Sequence, residues 1–379
     1  MDPFAEIRPY NDSEVAAVLE RLLADPEFLG ALTRFRFKRL SGVLPGLLRR
    51  LVGWQLRRQL KGVASVTAMQ AVIEGYMDRM ISDTTAGFSV SGLDQLDPGQ
   101  PFLFMSNHRD IAMDPAFTNY ALWSSGHNTV RIAIGDNLLT KPYVSDLMRL
   151  NKSFIVRRSV RGPRQILKAY RDLSAYIRHS LLEEQAPIWI AQREGRAKDG
   201  VDRTEPAIIK MLAMSQDKAN ESFSEYIGGL NIVPVTISYE LDPCDEAKAR
   251  ELAAVASSGS YEKAEHEDVE SIAKGIAGNK GQVHVAFGTP LKGDYDNADA
   301  VAAEIDRQIC ANYVLHGTNI YAYRALHGDD AALPQGAAAA GSCDEAEFNR
   351  RMQAIPEDQR PYALAIYANA VVSQLAAEA

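Results

Sequence analysis

Between residues 87 and 287 the chain alternates short apolar runs with amphipathic helical patterns, and this rhythm constrains the fold more than any other feature. The runs lie at 87–90, 102–105, 130–134, 153–156, 188–191, 232–238 and 283–287, each with strand character. The stretch 163–184 reads as a helix that opens on Pro163 and places Leu167, Tyr170, Leu173, Ile177 and Leu181 on one side. Strands alternating with helices predict an α/β domain with a mixed central sheet flanked by helices.

The flanks read differently. Residues 1–85 are helical in pattern, with Asn11, Asp12 and Ser13 as a cap cluster. A second helix is expected over 66–81, with Met69, Val72, Ile73, Tyr76, Met77 and Met80 facing a core. Between them, 34–61 holds nine basic residues and no acidic one: Arg34, Arg36, Lys38, Arg39, Arg49, Arg50, Arg57, Arg58 and Lys61, interleaved with Phe, Leu and Trp54. That pattern predicts a helical pair, broken near residues 42–45, lying in a membrane interface with its cations on anionic headgroups. Residues 244–278 read as a charged surface insertion and 299–324 as one helix. Residues 328–341 read as a linker and 344–379 as a C-terminal helical extension. The expected organisation is therefore a helical region (1–85), an α/β domain (86–327) and a linker with extension (328–379).

The net charge of −8 over 379 residues argues against a general nucleic-acid binder. Three widely spaced cysteines fit a reducing compartment, with neither a disulfide framework nor metal-ligand spacing. No run of about 20 apolar residues is present, and the N-terminus lacks the pattern of a secretory signal. The expected location is cytoplasmic, peripheral on the inner face of a membrane.

The chemistry concentrates where apolar runs end. The second run delivers Asn107-His108 into a polar turn, with Asp110 and Asp114 following. A neutral imidazole with a carboxylate beside it can take a proton from a hydroxyl near neutral pH. Basic residues follow later runs: Arg157 and Arg158 after the fourth, and Arg193, Glu194, Gly195 and Arg196 after the fifth, with Lys141 and Lys152 as further cations. Tyr239 and Glu240 end the sixth. His108-Arg109-Asp110 lacks the downstream Asn and Asp-Phe-Gly of a protein kinase, and no Gly-x-Ser-x-Gly elbow marks a serine hydrolase.

From Phe88 to Leu291 this ordered set resembles the glycerol-3-phosphate and lysophospholipid (1-acylglycerol-3-phosphate) acyltransferase superfamily. The likeness includes the late run that ends in Gly288-Thr289-Pro290. One departure is the first motif, where the family places four residues between His and Asp and this chain has five between His108 and Asp114. The third motif reads Glu194-Gly195-Arg196, matched to the last two residues of a Gly-Gly-Arg pattern. The resemblance implies transfer of an acyl chain from acyl-CoA or acyl carrier protein to the hydroxyl of glycerol 3-phosphate or a lysophospholipid, without metal or other cofactor. His108 is then the expected base and Asp114 or Asp110 its partner. Arg157, Arg196, Gly195, Glu194, Arg158 and Arg193 are the expected substrate-binding residues. A non-catalytic membrane-surface adapter that retains the fold is the alternative, and thiol release from an acyl-CoA separates the two.

Overall fold

The computed structural model describes residues 2–37, 44–264, 266–337 and 341–378. In chain order these fold as α1 (Asp12–Ala24), α2 (Pro26–Arg36), α3 (Pro45–Gln59), α4 (Val66–Thr84), β1 (Gly87–Ser91), β2 (Leu103–Ser106), α5 (Met113–Ser124), β3 (Arg131–Gly135), α6 (Pro142–Leu150), β4 (Ser153–Val156) and α7 (Pro163–Leu182). There follow β5 (Ile188–Ala191), α8 (Pro206–Leu212), α9 (Phe223–Gly229), β6 (Ile232–Tyr239), α10 (Asp245–Ser258), α11 (Glu267–Ala277), β7 (Gln282–Phe287), α12 (Ala298–Ala311), α13 (Gly317–His327), α14 (Glu345–Gln353) and α15 (Arg360–Glu378). All seven strands fall on the runs read from the sequence.

Two compact units divide the chain. Unit 1 takes residues 1–76 and 131–172, and unit 2 takes 77–130 and 173–379. The division cuts across the three-part order expected from the sequence, because 131–172 belongs with the N-terminal helices and the C-terminal helices belong with the sheet.

In unit 1, Asn11 caps α1, its side-chain oxygen accepting from the Ser13 amide at 3.1 Å while Glu14 accepts from the Asn11 amide at 2.9 Å. Val15, Val18, Leu19 and Leu22 of α1 bury against Phe28, Leu29, Met69 and Leu150. Tyr76 departs from expectation. It is exposed and donates to Gln59 at 2.8 Å, because α4 buries only a narrow stripe around Met69 and Ile73. Strands β3 and β4 pair in parallel. Lys38, Arg39 and the expected break at 42–43 lie outside the described residues; Pro45–Gln59 is helical, with Leu47, Leu51 and Trp54 exposed.

Unit 2 carries a mixed sheet in the order β1-β7-β6-β2-β5, parallel throughout except for β6 against β7. Every residue of β2 and β6 is buried, as expected for parallel strands covered on both faces. Because β2, β5 and β6 run the same way, the loops leaving their C-terminal ends meet along one edge, where α/β sheets place ligands.

Two sequence expectations are corrected here. The segment 299–324 is two helices, α12 and α13, separated at 312–316. Residues 244–278 are not a surface insertion: Asp245, Lys248, Ala249, Glu267 and Ser271 are buried. Their charges looked solvated in sequence because their partners, among them Asp242 and Arg351, are remote in the chain or lie on other elements. The extension is likewise part of a core, with Phe348, Ile366, Tyr367 and Val371 packed beside Ala249, Ala322 and Tyr323.

Candidate active site

His108 stands two residues beyond β2, in the loop that leads to α5. Its Nδ1 lies 2.9 Å from Oδ2 of Asp114, in the first turn of α5. The same oxygen accepts the backbone amides of Arg109 at 2.6 Å and Asp110 at 2.9 Å, and Oδ1 accepts the Tyr239 hydroxyl at 2.7 Å. Two of these donors are backbone N–H groups, so the fully buried carboxylate acts as an acceptor. The proton between it and His108 therefore sits on Nδ1, which leaves Nε2 as the basic nitrogen.

The extra residue in the His–Asp spacing is taken up in this loop. Asp110 turns toward its own backbone and accepts the amides of Ala112 at 2.9 Å and Met113 at 2.8 Å, just ahead of α5. Its carboxyl is pushed above the usual carboxylate range by burial and by the charge of Asp114. It sits so close to α11 that a Cβ on Gly275 would lie 2.1 Å from its Oδ2. Of the two carboxylates offered by the sequence, Asp114 is the one hydrogen-bonded to His108.

Three further residues fix the loop. Asn107 is fully buried and exchanges hydrogen bonds with the Ile237 backbone of β6, at 2.8 and 3.1 Å. Arg109 is buried against Asp202 at 2.7 Å and the Gly200 carbonyl at 3.0 Å. Burial opposes its charge, yet Asp202 and its neighbours hold the guanidinium pKa above the ordinary value. Lys248 of α10 donates to the Arg109 carbonyl at 2.7 Å and pairs with Asp242.

The loop after β5 is tied to the same place, since the Ala197 amide donates to the His108 carbonyl at 2.7 Å. Gly195 adopts φ +73°, a left-handed conformation natural to glycine, and a Cβ there would meet nothing within 4 Å. Arg196 is largely buried, 4.0 Å from Asp268 of α11, beyond hydrogen-bond length. Arg193 has its Nε buried without a hydrogen-bond partner. Glu194 is exposed, its amide 3.4 Å from Glu205.

Arg157 and Arg158 belong to unit 1. Arg157 pairs with Glu6, and the Arg158 amide donates to Asp136 at 3.0 Å. Arg157 leaves β4, which pairs in parallel with β3. Lys141 pairs with Glu27 at 2.8 Å, and burial, then Arg131, lowers Lys152 to about 8.

Sequence reasoning passed over Lys248, Asp202 and Gly200, and it singled out Tyr239 only as one of the polar pair that ends the sixth run, without a role.

Residues 87–238 match the family model described as Acyltransferase. No curated protein matches the chain. Among solved structures, the 1-acyl-sn-glycerophosphate (LPA) acyltransferase PlsC from Thermotoga maritima is similar at 12% identity, over 75% of this chain and 95% of that one, with a TM-score of 0.39. The stretch that matches the Acyltransferase model, residues 87–238, holds His108, Asp114, Gly195 and Arg196, so the likeness falls on the loops described above.

Proposed function

We propose that this acyltransferase moves a fatty acyl chain from a thioester, acyl-CoA or acyl carrier protein, to the hydroxyl of glycerol 3-phosphate or a lysophospholipid. The observation that carries the reading is the His108–Asp114 hydrogen bond of 2.9 Å, with Tyr239 closing the far oxygen. His108 Nε2 accepts the proton of the acceptor hydroxyl as its oxygen attacks the thioester carbon. The C–S bond then breaks, and the imidazolium returns the proton to the departing thiolate. Asp114 holds the imidazole tautomer and stabilises its charged form.

A phosphate on the acceptor calls for planar cationic donors. Arg196 and Arg193, on the loop bonded to the His108 carbonyl, are the proposed ligands in unit 2, and Gly195 leaves room for the substrate to approach. Glu194 is proposed as a rim contact. No described helix is long and apolar enough to cross a membrane. We place the enzyme on the cytoplasmic face of an anionic membrane through α3, whose exposed Leu47, Leu51 and Trp54 lie among Arg49, Arg50 and Arg58.

The test is thiol release from acyl-CoA with glycerol 3-phosphate and lysophosphatidate as acceptors. His108→Ala should lower kcat by about 10²–10⁴ with the fold intact. Near wild-type turnover in that variant would sink the mechanism.

A further inference from the structure

Charge is divided sharply between the two units. Unit 1 holds 21 Lys and Arg against 11 Asp and Glu, a net of +10, whereas unit 2 holds 20 against 38, a net of −18. In unit 1, part of this excess lies outside the basic N-terminal stretch. Residues 157–171 contain Arg157, Arg158, Arg161, Arg164, Lys168 and Arg171 with no acidic residue.

Helix α7 begins inside this run, and every residue from 161 to 168 is exposed. Its apolar stripe has two fates. In the second half, Leu173, Ile177 and Leu181 are buried in unit 2; in the first half the stripe continues as Ile166, Leu167 and Tyr170, each more than a third exposed. At about 100° per residue these three side chains fall within an arc of about 100°, and Arg164, Lys168 and Arg171 within about 60° on another side. A solvated helix end has no use for that apolar arc. The basic residues flanking it supply the complement of an anionic surface, and their long stems let the apolar arc sink while the cations stay at headgroup level.

We propose that residues 161–171 form a second membrane-contact element, an interfacial helix end that seats unit 1 on an anionic lipid surface. It rests on the membrane reading given above for α3 and extends it to a segment over 100 residues away in sequence. A lipid interface suits a helix end exposed around its whole circumference, because it accommodates apolar and basic faces together. A protein partner would cover one face.

The test uses the full chain with phosphatidylcholine vesicles, with and without phosphatidylglycerol. Flotation measures partitioning, and amide hydrogen exchange reports which residues become protected. Wild-type protein should float with the anionic vesicles at low salt and gain protection over 161–171. Arg164→Gln, Lys168→Gln and Arg171→Gln together should weaken partitioning about 100-fold, since each basic residue near an anionic surface contributes about 1 kcal/mol. Ile166→Ser, Leu167→Ser and Tyr170→Ser together should weaken it at least tenfold and remove the protection. These residues lie outside the acyl-transfer site, so turnover of a short-chain, water-soluble thioester should be unchanged in both variants.

Protection confined to 44–61 would overturn the proposal and leave the α3 reading standing, while wild-type protein that ignores anionic vesicles overturns both. Acyl carrier protein bound through these same residues, with vesicles ignored, would identify a protein partner instead. Failure of acyl transfer itself would show in the turnover assay, separately from vesicle binding.

Discussion

Four donors converge on the two oxygens of Asp114, whereas Asp110 accepts the amides of Ala112 and Met113 in its own loop. Asp114→Asn should therefore lower kcat by about 10²–10⁴, the loss expected when the imidazole loses its orienting charge. Asp110→Asn keeps an acceptor for both amides and should cost less than Asp114→Asn in the same assay. The pH dependence of stability separates them further. Asp110 has a raised pKa in the fold, so between the ordinary carboxylate value and that raised one the native state holds the extra proton. Its contribution to stability falls as pH rises through that window. Urea denaturation should show Asp110→Asn gaining on the wild type as pH rises above the ordinary carboxylate range. Tyr239→Phe leaves Asp114 Oδ1 buried without its donor, at a cost to stability of about 1–3 kcal/mol. It also frees one oxygen of the carboxylate that orients His108, so kcat should fall while KM for the thioester stays put. An unchanged kcat would make Tyr239 a packing residue only. The His108–Asp114 pair was legible because both residues sit on one short loop. Tyr239 is 125 residues from Asp114, and only the register of β6 against β2 brings it there.

At the scale of elements, the strands were legible and their supports were not. Buried parallel strands announce themselves as unbroken apolar runs, as β2 and β5 did, whereas the partly exposed β1 and β7 alternate apolar with polar residues. Helices α10 and α15 read as charged or unassignable, yet they hold the loops that follow β2 and β5. Lys248 of α10 grips the Arg109 carbonyl, and Asn369 of α15 donates to the Asp199 carbonyl at 2.7 Å. Gly200 lies so close to α15 that a Cβ would come within 2.2 Å of the Ile366 carbonyl oxygen, and its φ is +80°. Neither obstacle can yield by a side-chain rotation, since the contact is with backbone. Gly200→Ala should destabilise the protein by about 1–3 kcal/mol through backbone strain and lower kcat, because the Gly200 carbonyl is also an acceptor for Arg109. A wild-type melting temperature in this variant would show that α15 does not brace the loop.

At the scale of the whole molecule, sequence order concealed the interleaving of the two units, because residues 131–172 return to the N-terminal helices through contacts that no local pattern encodes. Net charge concealed just as much, since −8 overall is the difference between a basic unit and an acidic one. That division makes the membrane reading of α3 testable without disturbing the fold. Arg57 donates to the Leu23 carbonyl at 2.9 Å and helps hold α3 in place, so it should be spared. Arg49, Arg50 and Arg58 are exposed, and reversing all three to Glu takes unit 1 from a net of +10 to +4. The lost attraction alone amounts to about 3 kcal/mol, more than 100-fold in partitioning, and the new repulsion adds to it. Sedimentation with anionic vesicles at low salt should be abolished, and turnover of water-soluble substrates should persist because none of the three lies in unit 2, where His108 stands. Raising salt should weaken the wild-type association over the range in which the Debye length shrinks from about 30 Å to about 8 Å. Association indifferent to both salt and charge reversal would assign the contact to Leu47, Leu51 and Trp54 alone, and the basic residues of α3 would then serve only to keep an apolar helix face soluble.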